Sequence, residues 1–379
     1  AEKCRVLEER WEESMSDSTA SVAIADAGPQ DPLTGPFAHV PVVGRANVER
    51  TGEIPIEVWQ GARSYWDAVG AEVCKDLHAA ARSGRTASRY PIDLTRGHFV
   101  ELPPFSALRS LSRELSLEAW IASAEHRPDA ATDAVLDALP VAASLANEPT
   151  VISQLVRNAL YGITLASLEN AMNRTTLSGG DLTRLDDGLR HALTPAGQAL
   201  PMERGLIRDR VMSLNTSANS VRYLLRSSGT PRWALDVAAI FTPGPFYEVL
   251  GIGALDRLLM VRESRVSCEA ARTGAHEAFR GADINSDEFW TQRTWTHAPV
   301  ASILLPATAR IYESEWHVQT EIEAALTAIA VERFRLAHGR LPERLDELVP
   351  ESIERIPADL WNGGKPLSYR VRDNGEFVV

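Results

Sequence analysis

Residues 148–172 read EPTVISQLVRNALYGITLASLENAM, and this stretch decides the fold. Its apolar residues recur at spacings of three and four, which predicts an amphipathic α-helix. We expect the helix to be capped by Asn147, with Pro149 in its first turn. The remaining stripe is polar but almost uncharged: Gln154, Arg157, Asn158, Tyr161 and Thr164. Because a solvent-exposed face is normally rich in Glu and Lys, we expect a central helix whose stripe faces other helices or a cleft.

Helical spacing continues on both sides of this stretch, and strand patterns are nearly absent before residue 366. The predicted fold class is therefore mainly α. It comprises a multi-helix body, loosely tetratricopeptide-like, followed by a long C-terminal helix, a short helix and a small β-hairpin. The helix pair after Pro103 has no second copy at a period of about 34 residues, so a repeat array is not predicted.

The positions of proline and glycine along the chain predict three segments. Residues 1–56 are expected to form a charged helix and an extended, Pro-rich arm, residues 57–305 an α-helical body, and residues 306–379 a C-terminal module. In that module Gly339 is expected to end the long helix in the left-handed conformation. A short helix is then predicted from Pro342, burying Leu345, Leu348 and Val349, before a hairpin that turns at Asp373-Asn374-Gly375.

Composition excludes several classes of function. The net charge is -12, and no Lys/Arg cluster provides the basic surface that nucleic acids require. The cysteines, Cys4, Cys74 and Cys268, lack the spacing of a metal site or a disulfide framework. One long-range disulfide between two of them stays an alternative. No run of 18 apolar residues is present, and neither is a signal-peptide pattern. The start at Ala1-Glu2-Lys3 is compatible with the trimmed end of a longer chain.

The strongest candidate binding site combines Gln154, Arg157 and Tyr161 with Glu203-Arg204. Glu203 precedes an apolar run and is placed to reach inward to Arg157. A buried pair of this kind either fixes how two helices align or lines a ligand groove, and both interpretations stay open here.

A second, weaker candidate is a helical row of metal-ligand types. Glu313, His317 and Glu321 recur every four residues and therefore share one helical face. Such a row binds a metal or performs acid–base chemistry only if it lines a cleft, and a solvated face with ion pairing to Arg310 is the alternative.

Other catalytic patterns are incomplete, and no cofactor is predicted. His276-Glu277 lacks the second histidine of a zinc protease, and neither a G-x-S-x-G elbow nor a P-loop occurs. Gly251-Ile252-Gly253 lacks the preceding strand of a dinucleotide site. The calcium-like spacing of Asp283, Asn285 and Asp287 lacks both the glycine and the closing glutamate, so helix capping explains it more simply.

The C-terminal segment carries a resemblance to a known family. Residues 334–342, FRLAHGRLP, are followed by the leucine helix at 345–350 and by IPAD at 356–359. Over residues 320–371 this resembles the globular end of the type II secretion major pseudopilins, which implies a long helix packed on a short helix and a small sheet. The family's anchoring helix is N-terminal and its calcium loop lies beyond this hairpin, so filament assembly and calcium binding do not transfer.

The whole chain also resembles a class of uncharacterised, membrane-tethered proteins from planctomycete-type bacteria. The matching residues are Pro91-Ile92-Asp93, 148–156 (EPTVISQLV), Glu203-Arg204 and the final module. The resemblance implies an extracytoplasmic (periplasmic) protein whose membrane segment is absent from this chain.

Two functions are therefore considered. The first is a non-enzymatic extracytoplasmic scaffold or protein-binding subunit that uses helical grooves, with another protein, such as a member of a membrane complex, as its partner. The alternative is a hydrolase with a cleft along Gln154, Arg157 and Glu203.

Overall fold

The computed structural model describes residues 40–44, 46, 52–83, 90, 102–148, 150–192, 254, 258, 262, 306–359, 362, 364–372 and 375–379. This part of the chain is mainly α-helical, with short β-hairpins after the last helix, which confirms the predicted fold class. The predicted opening helix, most of the Pro-rich arm and the calcium-like loop lie outside it. Among the described helices, none has an apolar stretch long enough to cross a membrane.

The N-terminal helical unit begins after Pro55. Helix α1 (Ile56–Tyr65) continues through a π-helical segment (Trp66–Gly70) into α2 (Ala71–Ala81). The helices that follow are α3 (Phe105–Ala124), α4 (Pro128–Ala143), α5 (Val151–Arg174), α6 (Gly179–Arg190) and the long α7 (Pro306–His338).

The N-cap of the central helix α5 lies three residues after the predicted N-cap, Asn147. The backbone of Thr150 is extended, and its hydroxyl accepts a hydrogen bond from the Ser153 amide at 3.2 Å, so Thr150 and not Asn147 is the N-cap. The prediction of Asn147 is wrong because threonine at this spacing satisfies the exposed N–H of the first turn. Helix α6 begins with a full capping box between Ser178 and Asp181.

The core of the body is built around α5, which packs against α3, α4 and α7, while α6 packs against α4 and α7. Its buried side chains include Leu160, Leu168, Leu182, Leu185, Ile322 and Ile329. Asn158 contacts Ser314 near the start of both α5 and α7, and Arg174 and Glu332 line one cavity near their ends. The two helices therefore run parallel, with α5 as central as its sequence predicted.

A second cluster lies where α1 and α2 cover α3. Trp120 on α3 is almost completely buried there, with Trp59 of α1 at 6.0 Å between ring centroids. The segment from α1 to α2 buries an apolar stripe in this cluster: Val58, Ala62, Tyr65, Val69, Val73 and Leu77.

The C-terminal module follows the end of α7. Gly339 has φ +70, which confirms the predicted left-handed terminus. The predicted short helix is a single 3₁₀ turn, Leu345–Leu348, which begins three residues after the predicted start at Pro342. Leu345 and Leu348 are buried as expected, whereas Val349 is only partly buried. Strands β3 (Arg370–Val371) and β4 (Phe377–Val378) form the predicted hairpin. A second antiparallel pair, β1 (Ala358–Asp359) and β2 (Lys365–Pro366), was not predicted.

Helix α7 contributes to two cores. Val318, Ile322, Leu326 and Ile329 belong to the core of the body. Farther along the same helix, Ala330, Val331 and Phe334 pack with Leu345, Leu348 and Ile353 in the core of the module. The predicted boundary at residue 306 stays a prediction, and the two cores share one helix.

Substitution of two helical glycines by alanine is expected to change the free energy of unfolding differently. An added Cβ at Gly162 meets nothing within 4 Å, whereas at Gly188 it would lie 2.6 Å from Leu136 Cδ2 and 3.2 Å from Leu139 Cδ1. We expect Gly162→Ala to raise the free energy of unfolding by about 0.5–1 kcal/mol through helix propensity. In Gly188→Ala, crowding between α6 and α4 offsets that gain. The free energies of unfolding of the two variants, measured by urea denaturation, should therefore differ by about 1–2 kcal/mol. Equal gains would contradict the close approach at Gly188.

Candidate functional site

The predicted stripe on α5 lies in the packed interior. Gln154, Arg157 and Tyr161 have exposed fractions of 0%, 5% and 3%. The Nε2 of Gln154 donates hydrogen bonds to the carbonyl oxygens of Leu145 at 3.0 Å and Glu148 at 2.7 Å. Gln154 therefore stabilises the turn between α4 and α5, because its side-chain amide donates to two buried carbonyl groups of that turn.

Arg157 lies between its two predicted companions. Its Nη1 donates to Gln154 Oε1 at 3.3 Å, and its guanidinium carbon lies 5.3 Å from the centroid of the Tyr161 ring, a cation–π contact. In the part of the chain that is described, its Nε has no hydrogen-bond partner. The structure thus places Gln154, Arg157 and Tyr161 in contact, and these contacts join successive turns of α5 to each other and to the preceding turn.

The other half of this predicted site, Glu203 and Arg204, lies outside the described residues. The hydrolase alternative depends on Glu203 beside Arg157, so it stays a prediction. A neighbouring stripe residue, Asn158, has a defined partner: its Nδ2 donates to Ser314 Oγ at 3.3 Å and ties α5 to α7.

Two of the weaker metal candidates, His317 and Glu321, lie on α7 with solvent-accessible side chains. His317 Nε2 and Glu321 Oε1 are 3.2 Å apart, and both side chains are exposed. The side chain of Glu313 lies outside the description. Over the described ranges, no group of three or more His, Cys, Asp or Glu side chains is arranged to hold a metal ion.

Sequence reasoning missed a polar cluster centred on His78. The Nδ1 of His78 lies 2.6 Å from Asp137 Oδ2 on α4, and its Nε2 lies 2.8 Å from Glu118 Oε2 on α3. These hydrogen bonds, first that of Asp137 and then that of Glu118, raise the pKa of His78 to about 9 against the opposing effect of burial. We call His78, Glu118 and Asp137 the imidazole cluster.

Cys74 lies one turn before His78 on α2. Its thiol is free and buried. Burial raises the pKa of this thiol well above its usual value, and the charges of Glu118 and Glu114 add to the rise. A reactive cysteine requires the thiolate, so Cys74 is a packing residue in this environment. Cys4 and Cys268 lie outside the described residues.

A cavity of about 170 Å³ opens where the end of α5, the loop into α6 and the last turns of α7 meet. We call it the junction groove; its lining includes Asn173, Arg174, Thr176, Leu177, Glu332 and Arg335. Burial lowers the pKa of Arg174, whose Nη1 donates to the Gly52 carbonyl oxygen at 3.1 Å. Arg335 donates from Nη2 to Glu332 Oε2 at 2.6 Å. No motif predicted this groove, because its lining comes from distant segments of the chain.

Comparisons with known proteins identify no significant relative of this chain. No family model matches the chain, and neither the curated proteins nor the solved structures include a significant match.

Proposed function

We propose that this chain is a non-enzymatic, extracytoplasmic protein-binding subunit and that its junction groove receives an acidic segment of a partner protein. The observation that carries the proposal is the groove itself, a partly open cavity with polar walls between three segments. At about 170 Å³ the groove has many times the space that one water molecule requires, so it admits one or two side chains of a partner.

Charge favours an acidic segment as the occupant. Two guanidinium groups, Arg174 and Arg335, and one carboxylate, Glu332, line the groove, which gives it a positive balance. The whole chain has a net charge of -12, so most of its surface repels acidic segments. Guanidinium groups bind carboxylates through paired, charge-assisted hydrogen bonds, and a groove of this charge therefore selects for Asp and Glu side chains.

The extracytoplasmic location is part of the same proposal. It is supported by the resemblance of the chain to membrane-tethered proteins of planctomycete-type bacteria, and the pseudopilin-like ending is likewise a proposal drawn from residues 320–371. Protease treatment of intact spheroplasts tests the location: degradation alongside a periplasmic marker is expected, and protection alongside a cytoplasmic marker would contradict it.

Binding of an acidic peptide tests the groove. We expect a labelled hexaglutamate peptide to bind at least about tenfold more tightly than hexaglutamine in low-salt buffer, measured by fluorescence anisotropy. Arg335→Glu reverses one charge of the groove on a partly exposed side chain, and it should weaken hexaglutamate binding at least about tenfold. Thr176→Trp, which fills the groove without changing its charge, should weaken binding as well.

The matched control is Arg372→Glu on the C-terminal hairpin. Arg372 is exposed and paired with Glu376 at 3.5 Å, much as Arg335 is paired with Glu332, but it does not line the groove. This variant should bind the peptide within about twofold of the unaltered protein. Equal losses in Arg335→Glu and Arg372→Glu would mean that only the overall charge matters, and the groove proposal would then be wrong.

A further inference from the structure

The geometry of the imidazole cluster determines the protonation state of His78. A carboxylate oxygen only accepts hydrogen bonds, and both ring nitrogens of His78 lie within hydrogen-bond distance of one. A neutral imidazole has a single N–H, so it satisfies one of these carboxylates and presents a lone pair to the other. Only the imidazolium donates to both Asp137 and Glu118, and the ring in this arrangement is a cation.

The charged groups around this ring come from four helices. They are Arg82 just after α2, Glu114 and Glu118 on α3, Asp133 and Asp137 on α4, and Arg184 on α6, and the neutral thiol of Cys74 on α2 lies beside them. Arg82 reaches Asp133 at 3.1 Å and Asp137 at 3.3 Å, and Arg184 pairs with Asp133. Without the imidazolium, the carboxylates of this group outnumber its guanidinium groups.

Helix α2 depends on this cluster more than α1 does. Besides its apolar residues, α2 is joined to α3 and α4 by His78 and Arg82. Helix α1 has separate attachments to α3, since Arg63 pairs with Glu125 at 3.0 Å and the Tyr65 hydroxyl bonds Glu114. The π-helical segment Trp66–Gly70 lies between the two helices, so their attachments are separated along the chain.

We propose that α2 is an alkaline-sensitive strap: loss of the His78 proton releases α2 from α3 and α4 while α1 stays docked. The neutral ring then donates to only one of the half-buried carboxylates of Glu118 and Asp137 and presents a lone pair to the other, which disfavours the closed arrangement. Opening uncovers the apolar surface of α3 that α2 covers.

The direction of the pH dependence follows from linkage. The pKa of His78 is raised to about 9 from 6.5, so the cluster stabilises the docked helix fully below about pH 6.5 and loses that effect as pH rises through about 9. With a His78 pKa of about 9 in the docked state and 6.5 in the released state, the equilibrium constant for docking of α2 decreases roughly 20-fold between about pH 7.5 and pH 9.5.

Hydrogen exchange followed by mass spectrometry tests the strap. After correction for the intrinsic exchange rate at each pH, protection of residues 71–81 should fall roughly 20-fold between about pH 7.5 and pH 9.5. Protection of residues 56–65 and 160–170 should stay constant. His78→Gln should show low protection of residues 71–81 at both pH values, and His191→Gln, which alters an exposed histidine at the end of α6, should behave like the unaltered protein.

Constant protection of residues 71–81 up to about pH 9.5, or an equal fall in His78→Gln, would overturn the proposal. If His78→Gln does not fold, the imidazole NMR titration of His78 in the unaltered protein decides instead. A midpoint near 9 supports the strap, and a midpoint at or below about 7 overturns it.

Discussion

Ile322→Asp is expected to lower the free energy of unfolding by about 5 kcal/mol or more and to leave the body largely unfolded. Ile322 is 0% exposed and lies in the core shared by α5, α6 and α7. Aspartate at this position would place a carboxylate among the apolar side chains of that cluster and would also remove the packing of isoleucine. Urea denaturation followed by far-UV circular dichroism measures the loss.

The same helix offers a matched control for this substitution. Leu336 is 45% exposed and lies four turns farther along α7, so Leu336→Asp introduces the same charge without burying it. We expect this variant to remain within about 1 kcal/mol of the unaltered protein. A loss at Ile322 as small as the loss at Leu336 would contradict the burial of Ile322 against the body.

Trp120→Ala has the second-largest expected effect, a decrease of about 3–5 kcal/mol. Among the described residues, Trp120 is the largest of the almost fully buried side chains, and it fills the space between α3 and the covering helices α1 and α2. Alanine would leave a cavity in this cluster, because the surrounding helices relax only partly.

Trp120→Phe separates packing from hydrogen bonding at the same site. Within the described residues, the Nε1 of Trp120 has no hydrogen-bond partner, so loss of the indole N–H removes no bond. We therefore expect Trp120→Phe to cost much less than Trp120→Ala, about 1–2 kcal/mol, in the same denaturation measurement. If both substitutions cost under about 1 kcal/mol, the assignment of Trp120 to a tightly packed core would be wrong.

Local chemistry made several elements of the fold predictable. Pro55 marks the start of α1, and Gly339 ends α7 with the left-handed backbone that glycine allows. The uncharged stripe on α5 predicted a central helix because few charged side chains interrupt its surface, and Gln154, Arg157 and Tyr161 are buried there. The signal for each of these features lies within a few residues of the feature itself.

Long-range neighbours were not predictable in the same way. His78 is separated by 59 residues from Asp137 and by 40 residues from Glu118, and the sequence does not say which helices meet. His78 and Arg82, like Asp133 and Asp137, are four residues apart, but their pairing depends on how α2 packs against α4. The junction groove was missed for the same reason, since Arg174 and Arg335 become neighbours only through tertiary packing.

The shared helix α7 has a mechanical consequence. Its 33 residues form a rod about 50 Å long, with Ile329 in one core and Phe334 in the other. An α-helix resists bending far more than a loop of the same length, so a force on the C-terminal hairpins is transmitted along the rod to the central helices. Any partner that pulls on this end of the molecule therefore acts directly on the interior of the body, with no slack linker to absorb the displacement.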